Sequence, residues 1–199
     1  WQRATSIGEA SHPGPRSAIR RSERKPRGQK PLHMDMVLFN SSGGRQLADA
    51  MDFYRKSRSS EGQVKVAAII GQEHHMLGDQ WVDFQHKSRK GGWKLSGVPA
   101  AKCVENNSAG VCIAVRSTFG AGRQTGQSGG QLGDLPQVHD CGLQSRLTFT
   151  WIDGVLRGGV LVLSLYLWHS EGLSRRNCEL LWAAGEVIVK HGGPWILGG

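Results

Sequence analysis

Three polar side chains stand at or near the ends of apolar segments that are typical of β-strands. Asn40 ends the first of these segments, Glu73 follows the second, and Tyr166 lies near the end of a later one. In layered α/β folds, functional side chains gather where strands end. An amide, a carboxylate and a phenol could together hold a hydrated divalent cation and contact a phosphate, because Mg²⁺ binds one or two carboxylates and keeps several waters. We therefore predict that these three side chains meet at a common rim.

Ordinary structural roles compete with this interpretation. A single Glu after a strand is commonly a surface residue, and a Tyr in an apolar strand is more often part of the core. His74 and His75 follow Glu73, but adjacent side chains of an extended segment point in opposite directions and make poor joint ligands. The position of these residues in the fold therefore decides whether they form a site.

Hydropathy patterns predict the elements that must position these side chains. Apolar or alternating runs bounded by Gly, Ser or Asn predict strands at 34–40, 64–70, 93–98, 109–116, 143–152 and 160–168, and a further buried strand at 195–197. Apolar residues at three- and four-residue spacing predict helices over 45–58, from a cap at Asp79 to Gly91, and from a cap at Ser174 to His191. The predicted buried stripe of the last helix consists of Cys178, Leu181, Ala184, Val187 and Ile188. Strands in hairpin-like pairs between helices predict an α+β (α/β) layered sandwich.

Composition shifts divide the chain. Residues 1–33 contain four prolines and no hydrophobic period, which predicts a basic, disordered leader. Residues 34–199 form the predicted domain, and the Gly/Gln-rich segment 118–142 is long enough to be a loop inserted in it. The chain begins with Trp1 and ends in an apolar run, so we expect a truncated piece of a longer protein.

The charge lies mainly in the leader. Residues 1–30 hold eight Lys or Arg against two Glu, which accounts for six of the nine net positive charges. Such a tail attracts polyanions, among them nucleic acid, acidic lipid and acidic protein. The nucleic-acid-binding candidates are Arg20, Arg21, Arg24 and Lys25. The alternative is a solvated leader without a partner.

Several classes of protein are excluded. No apolar stretch approaches the roughly 20 residues of a membrane span, and the basic N-terminus lacks the apolar core of a secretory signal. The four cysteines form no C-x-x-C pair and match no zinc spacing, so we expect reduced core thiols of an intracellular protein, nuclear or cytoplasmic. The sequence indicates neither a membrane partner nor an obligate protein partner.

Seven segments form a recognisable series along the chain. They are VLFNSSGG at 37–44, AAIIGQEHH at 67–75, Gly-Trp at 92–93, AGVCIAVRS at 109–117, LVLSLYLWHSEG at 161–172, RRNCELLWAAGEVI at 175–188 and GPWILGG at 193–199. Over residues 35–199 this order resembles the endonuclease/exonuclease/phosphatase superfamily, which includes apurinic endonucleases, DNase I-like nucleases and the endonuclease domains of non-LTR retrotransposons.

The resemblance implies the N-terminal part of a DNase I-like fold, of the retrotransposon endonuclease type. It implies that Glu73 binds a metal ion, Mg²⁺ or Mn²⁺, and that Asn40 helps to place the metal and its waters. Tyr166 would contact the scissile phosphate as a catalytic residue. The Pro-Asn that often follows this tyrosine in the family is replaced here, and His169 is a further candidate for a phosphate or proton contact.

Two motifs of the family are missing from the 199 residues, the Asp-x-Asn pair and the late Asp-His pair. A metal lowers the pKa of bound water, but the water must also be positioned and the developing charge stabilised. We therefore predict a domain of the type that performs metal-dependent phosphodiester hydrolysis on nucleic acid, DNA in particular, without efficient nuclease activity in this chain. Two alternatives stay open, a non-catalytic basic nucleic-acid-binding module and a phosphatase of the same superfamily.

Overall fold

The structure, a computed structural model, describes residues 34–56, 66–102, 107–121, 130–131, 141–153, 156 and 159–199. All of them belong to one unit, His33–Gly199. The predicted leader, with Arg20, Arg21, Arg24 and Lys25, lies outside the described residues, as does most of the segment 118–142.

Fifteen helices and strands are described. The strands are β1 (Asp35–Asn40), β2 (Val66–Gln72), β3 (Trp93–Val98), β4 (Ala101–Lys102), β5 (Asn107–Ser108), β6 (Val111–Arg116), β7 (Gly120–Ala121), β8 (Gly130–Gln131), β9 (Leu147–Asp153), β10 (Val160–Leu165) and β11 (Trp195–Gly198). The helices are α1 (Gly44–Lys56), α2 (Gly78–Lys90), α3 (Cys141–Gln144) and α4 (Arg175–His191).

Two mixed sheets form the centre of the fold. The first has the strand order β1-β2-β6-β3, in which β1 and β2 are parallel and β6 is antiparallel to both of its neighbours. The second has the order β11-β10-β9-β7, with β8 also pairing with β9. In it β10 is antiparallel to β9 and parallel to β11. The short strands β4 and β5 pair with each other.

The central strands β2 and β10 are buried on both faces, which explains their continuous apolar sequence. In β10, Leu161, Leu163 and Leu165 pack in a cluster with residues of α4. The alternate residues Val160 and Val162 pack in a second cluster with residues of β2 and β6. Because side chains alternate across a strand, this second cluster is the layer between the two sheets.

The first sheet has the same arrangement on its other face. Leu47 and Met51 of α1 and Trp81 of α2 pack in one cluster with Ile69 of β2 and Trp93 of β3. The layers are therefore helices, sheet, sheet and helix, which confirms the predicted α+β layered sandwich. No helix in the described part of the chain has the length and apolar character needed to span a membrane.

The N-terminus of α2 differs from the prediction. The residue preceding the helix is Leu77, not Asp79. The backbone N–H of Leu77 donates to Gln80 Oε1 at 3.2 Å, so a side chain in the first turn supplies the acceptor. Asp79 lies inside the first turn, where its charge favours the helix dipole. Trp81 is buried as predicted.

The ends of α4 confirm the prediction, but its buried stripe is displaced by one residue. Ser174 Oγ accepts from Asn177 N at 3.3 Å, and Gly192 ends the helix in the left-handed region at φ 64°. The buried residues are Asn177, Leu180, Ala183, Ala184 and Val187. Cys178 and Leu181, predicted to be buried, are exposed, because the amide of Asn177 takes the inward position and binds backbone groups.

Three strand predictions also need correction. Strand β9 begins at Leu147, four residues later than predicted, because the preceding residues form α3. Strand β10 ends at Leu165, which leaves Tyr166 as the first residue after it. Strand β11 was predicted to be buried but is exposed at the sheet edge, where Trp195 is 50% accessible and β10 is its only strand partner among the described residues.

Candidate functional site

The ends of three strands meet at one rim of the sandwich. Asn40 is the last residue of β1, Glu73 directly follows β2, and Tyr166 directly follows β10. Strands β1 and β2 are parallel, with Asn40 paired to Gln72, so both end at the same edge of the first sheet. We call Asn40, Glu73 and Tyr166 the rim triad.

A buried glutamine joins the second sheet to this edge. Gln72 Nε2 donates to the carbonyl of Leu165 at 2.6 Å and to that of Gly198 at 3.4 Å. The side chain thus connects the residue before Glu73 to the residue before Tyr166, and both to the end of β11. This amide sets the separation of the two sheets at the point where the rim triad lies.

Hydrogen bonds hold the rim triad together. Asn40 Nδ2 donates to Glu73 Oε2 at 2.7 Å, and the Tyr166 hydroxyl donates to Glu73 Oε1. Glu73 and Tyr166 are part-exposed and Asn40 is exposed, so the carboxylate lies at the surface. The prediction that the three side chains converge is confirmed.

Hydrogen bonds at both the oxygen and the nitrogen of the Asn40 amide fix its orientation. Its Oδ1 accepts from the backbone N–H of Ser42 at 3.2 Å, while its Nδ2 donates to Glu73. This pair of partners fixes which end of the amide faces the carboxylate. Asn40 therefore supports Glu73, rather than directing its own oxygen into the rim.

The backbone at Glu73 is in an uncommon conformation. Glu73 has φ 55° and His75 has φ 54°, in the left-handed region that side chains other than glycine seldom adopt. The segment before β6 holds this turn, because His74 N donates to Gly110 O at 3.3 Å and His75 N donates to Ala109 O at 3.2 Å. Strained backbone held by its surroundings is frequent at functional sites.

The neighbours of Glu73 keep it ionised. Partial burial opposes the charge, but the hydrogen bonds from Tyr166 and Asn40, with smaller contributions from His75 and Arg146, lower the pKa of Glu73 below its usual value. The same environment raises the pKa of Tyr166 to about 12, through burial and through the hydrogen bond to and charge of Glu73. At neutral pH the phenol is therefore a proton donor and the carboxylate an anion.

A buried arginine lies beside the triad. Arg146 is 4% exposed, and its guanidinium lies 3.8 Å from the ring centre of Trp168 and 5.0 Å from that of Tyr166. It donates to Ser108 Oγ at 2.9 Å and to the carbonyl of Tyr166 at 3.3 Å. The backbone N–H of Tyr166 in turn donates to Arg146 O at 2.8 Å. Arg146 thus fixes Tyr166 through its ring and both of its backbone polar groups.

The segment after Tyr166 is tied to α4 by Asn177. The amide oxygen of Asn177 accepts from Trp168 N at 2.9 Å, and its Nδ2 donates to Trp168 O at 3.0 Å and Gly172 O at 2.6 Å. Arg176 adds a guanidinium 4.6 Å from the ring centre of Trp168. The backbone leaving the rim is therefore held on one side by Arg146 and on the other by α4.

The histidine that follows Glu73 has a structural role. His74 is buried and stacks on Trp81 with ring centres 4.7 Å apart. Its Nδ1 accepts from Met76 N at 3.1 Å, which leaves Nε2 to donate to Val98 O at 3.0 Å. Burial lowers the pKa of His74 to about 4, so the ring is neutral in the folded protein.

His169 does not join the rim triad. It begins a 3-10 turn, His169–Glu171, and is exposed. Within the described residues, the hydrogen bonds to the Glu73 carboxylate come from Asn40 and Tyr166, and none comes from His169. Its predicted role as a phosphate or proton contact stays a prediction.

Glu73 offers one carboxylate for a metal ion. Among the described residues, no group of three or more His, Cys, Asp or Glu is placed to hold a metal. Each oxygen of Glu73 accepts one hydrogen bond and keeps further acceptor capacity. This donor set fits a hard cation that takes one protein carboxylate and fills its remaining positions with water and substrate oxygens.

Sequence reasoning missed three residues that position the triad, namely Gln72 as a connection between sheets, Arg146 and Asn177. Each lies in a segment whose polar character is common on protein surfaces. Arg146 had one available signal, since it is a charged residue within the alternating run predicted as a strand over 143–152. No residue pattern indicated that Gln72 would reach across to the second sheet.

Comparisons with known proteins found only distant similarity. No protein-family model matches it, and no curated protein matches it. Among solved structures, the crystal structure of the AP endonuclease LMAP from Leishmania major aligns with a TM-score of 0.44 and 12% identity, over 78% of this chain and 46% of that one. The chain spans less than half the length of that protein. A likeness this distant assigns no activity.

Proposed function

We propose that the rim triad is the metal- and phosphate-binding part of a phosphodiesterase that acts on nucleic acid, DNA in particular. The observation that supports this proposal is the convergence of Asn40, Glu73 and Tyr166 on one ionised carboxylate at the surface. The sequence resemblance to the endonuclease/exonuclease/phosphatase superfamily points to the same reaction class. The retrotransposon type rests on that resemblance alone.

In this proposal Glu73 holds Mg²⁺ or Mn²⁺, and Asn40 fixes the orientation of the carboxylate. When bound, such a cation supplies charge neutralisation at a phosphate oxygen and lowers the pKa of a bound water. Tyr166 stays protonated because its pKa is raised, so its hydroxyl can donate a hydrogen bond to a phosphate oxygen. An anionic phosphate is favoured near this donor by the charge of Arg146, which lies against the ring.

Efficient cleavage by these residues alone is not expected. Hydrolysis needs a group that orients the attacking water and a group that stabilises the leaving oxygen. The sequence contains no Asp-x-Asn, and in the described residues the groups bonded to Glu73 are an amide and a phenol. An intracellular setting, nuclear or cytoplasmic, belongs to the same proposal, and the free thiols of Cys112 and Cys178 are compatible with it.

The metal site is tested by thermal unfolding with and without MnCl₂. A metal at ten times its Kd stabilises the native state by about 1.4 kcal/mol, which corresponds to a rise in Tm of roughly 3 °C for a chain of this size. We expect this rise for the wild type and its loss in Glu73→Gln. The substitution keeps the shape of the side chain and removes the charge.

Glu186→Gln is the matched control, because Glu186 is a part-exposed glutamate on α4 that lies outside the rim triad. This variant should retain the full response to Mn²⁺. An equal rise in all three proteins would mean that the ion binds elsewhere, and no rise in the wild type would refute a metal site at Glu73.

A further inference from the structure

The free edge of the second sheet carries three consecutive exposed apolar side chains. In β11, Trp195 is 50% exposed, Ile196 is 38% exposed and Leu197 is 37% exposed. Successive side chains of a strand point to opposite faces of its sheet, so both faces are partly uncovered at this strand. Among the described residues, β10 is the only strand that pairs with β11. We call these three residues the apolar edge.

The register with β10 shows which layer each of these side chains extends. Trp195 and Leu197 are paired with residues of β10 that pack against α4. Ile196 is paired with Val162, which packs in the layer between the two sheets. Both apolar layers therefore reach the surface at β11, where the described residues leave them partly uncovered.

The first sheet is open on the same side of the sandwich. Leu38 of β1 is 51% exposed, although it is paired with Ile70, which packs between the sheets. The two edges are neighbours, because a Cβ placed on Gly198 would lie 3.1 Å from Leu38 Cδ1. Leu38 and the apolar edge thus form one patch, which exposes roughly 300 Å² of apolar surface. Patches of this size on soluble proteins are often interaction sites.

The backbone of β11 adds directional groups to this patch. An edge strand presents unpaired N–H and C=O groups that can pair with a further strand. Sheet edges are commonly protected by a lysine, a proline or a bulge, but the apolar edge contains none of these and its register with β10 is continuous. The occupant that fits is therefore an extended segment with apolar side chains on both faces.

A second copy of β11 meets this requirement. Two identical edge strands that pair antiparallel are related by a two-fold axis perpendicular to the sheet, and side chains directly opposite each other share a face. An axis through Ile196 places each Trp195 opposite Leu197 of the second copy, so every residue of the apolar edge has an apolar partner. An axis through Leu197 would instead set Ile196 opposite Gly198.

The charge of this segment also favours a second copy. Residues 192–199 contain no Asp, Glu, Lys or Arg. In a two-fold contact each charge lies near its own copy, so an uncharged strand avoids the repulsion that like charges directly opposite would cause. A polyanion or a strongly charged protein would find no counter-charge on β11.

We propose that the chain forms a two-fold symmetric dimer, in which β11 pairs antiparallel with β11 of a second copy around Ile196. The second sheet would then continue through both molecules. The patch is smaller than the about 800 Å² per partner of a standard interface, so we expect an association in the micromolar range. The two rim triads would lie at opposite ends of the joined sheet, because the paired strands run in opposite directions.

Sedimentation velocity of the full chain across a micromolar concentration series measures this association. We expect the mass of the wild type to rise from that of one chain to that of two. Ile196→Lys and Ile196→Glu should each weaken the dimer by about tenfold or more, because like charges then lie opposite each other in place of an apolar pair. An equimolar mixture of the two variants should restore the dimer, which also shows that both variants fold.

Leu173→Lys is the control for the added charge, since Leu173 is an exposed leucine that precedes α4 and lies outside β11. This variant should dimerise like the wild type. Glu73→Gln should do so as well, because the contact does not involve the rim triad. Failure of the metal site and failure of the dimer are therefore distinguishable.

Disulfide trapping tests the register of the two strands. Residues directly opposite in an antiparallel pair have Cα atoms about 4.5 to 5.5 Å apart, which a disulfide can bridge. Ile196→Cys should therefore give a disulfide between position 196 of two copies, identified by peptide mass mapping. Leu197→Cys is the matched control, because the two positions are almost equally exposed. Position 197 lies diagonal to its own copy, about 8 Å away, so it should not cross-link.

Three results would refute the proposal. The first is a monomer at every concentration. The second is a series of larger assemblies, because a two-fold contact closes after two copies. The third is a dimer that persists in Ile196→Lys or cross-links equally through Ile196→Cys and Leu197→Cys, since that dimer would use another surface or another register.

Discussion

Arg146 shows how a buried charge can order a surface site. Its guanidinium is removed from water, and hydrogen bonds to Ser108 and Tyr166, together with the ring of Trp168, replace that hydration. A lysine could keep the charge but not the planar, forked geometry that serves these partners at once. The side chain therefore positions Tyr166, while its charge also helps to lower the pKa of Glu73.

At the scale of one residue, the buried ring of His74 predicts how the stability of the protein changes with pH. Its pKa is 6.5 when unfolded and about 4 when folded, because burial disfavours the charged ring. The folded protein favours the neutral ring. His74 therefore does not reduce the free energy of unfolding above pH 6.5, and this free energy falls as the pH decreases toward 4. Between about pH 7.5 and about pH 5 we expect a loss of roughly 2 kcal/mol.

Urea unfolding at both pH values measures this loss. Other groups also titrate in the range, so the relevant quantity is the difference between the wild type and His74→Gln, which cannot become charged. A pH dependence that is the same in both proteins would show that His74 does not carry the effect.

At the scale of elements, α4 depends on a polar residue for its docking. Asn177 is 1% exposed and makes three hydrogen bonds to the backbone of Trp168 and Gly172. Asn177→Ala would remove all three hydrogen bonds, each of which contributes about 0.5 to 1.5 kcal/mol. We expect a total loss of roughly 2 to 4 kcal/mol in the free energy of unfolding.

Asn177→Asp tests the donor, because a carboxylate can still accept from Trp168 N but would face the two carbonyl oxygens as a buried anion. Its stability should fall at least as far as that of Asn177→Ala. Cys178→Ala, at the next and exposed position, should change stability little. Comparable losses at both positions would argue against the hydrogen bonds of Asn177 as the cause.

The same helix shows what the sequence could and could not predict. Ser174 and Gly192 have local capping chemistry, so both ends of α4 were predictable. The buried stripe was not, because hydrophobicity favoured Cys178 and Leu181 over Asn177. What places Asn177 inward is its set of partners on another segment, and such tertiary partners are not visible in a periodic pattern.

The candidate site also contains residues that the sequence could predict and residues that it could not. Asn40 and Glu73 were predictable because strand ends are marked by a change from apolar to polar residues. Their contact with Tyr166 follows from parallel pairing of β1 and β2 and from packing of two sheets. Gln72 and Arg146 adjust this packing through hydrogen-bond partners that lie 93 and 20 positions away along the chain, respectively. Contacts at such separations are not visible in a local sequence pattern.

At the scale of the whole molecule, the position of each described cysteine within the layers predicts whether its thiol reacts. Cys112 lies under α1 in the first sheet, and burial raises its pKa to about 12. Cys178 lies on the outer face of α4 and is exposed. We expect iodoacetamide at mildly alkaline pH to modify Cys178 in the native protein and Cys112 only after unfolding, since the thiolate is the reactive form. Peptide mass mapping distinguishes the two.

Denatured protein provides the control for this labelling, because both cysteines should then react at similar rates. Rapid modification of Cys112 under native conditions would show that the helical layer over the first sheet opens easily. That result would contradict the tight packing of Leu47 and Ile69 around it.

Gln72 makes the rim triad depend on the assembly of both sheets. Its amide links the ends of β2, β10 and β11, and Glu73 and Tyr166 belong to different sheets. A partly folded chain that has formed only one sheet holds either the carboxylate or the phenol, never the pair. The proposed cation binding at Glu73 would therefore favour the chain in which both sheets have formed.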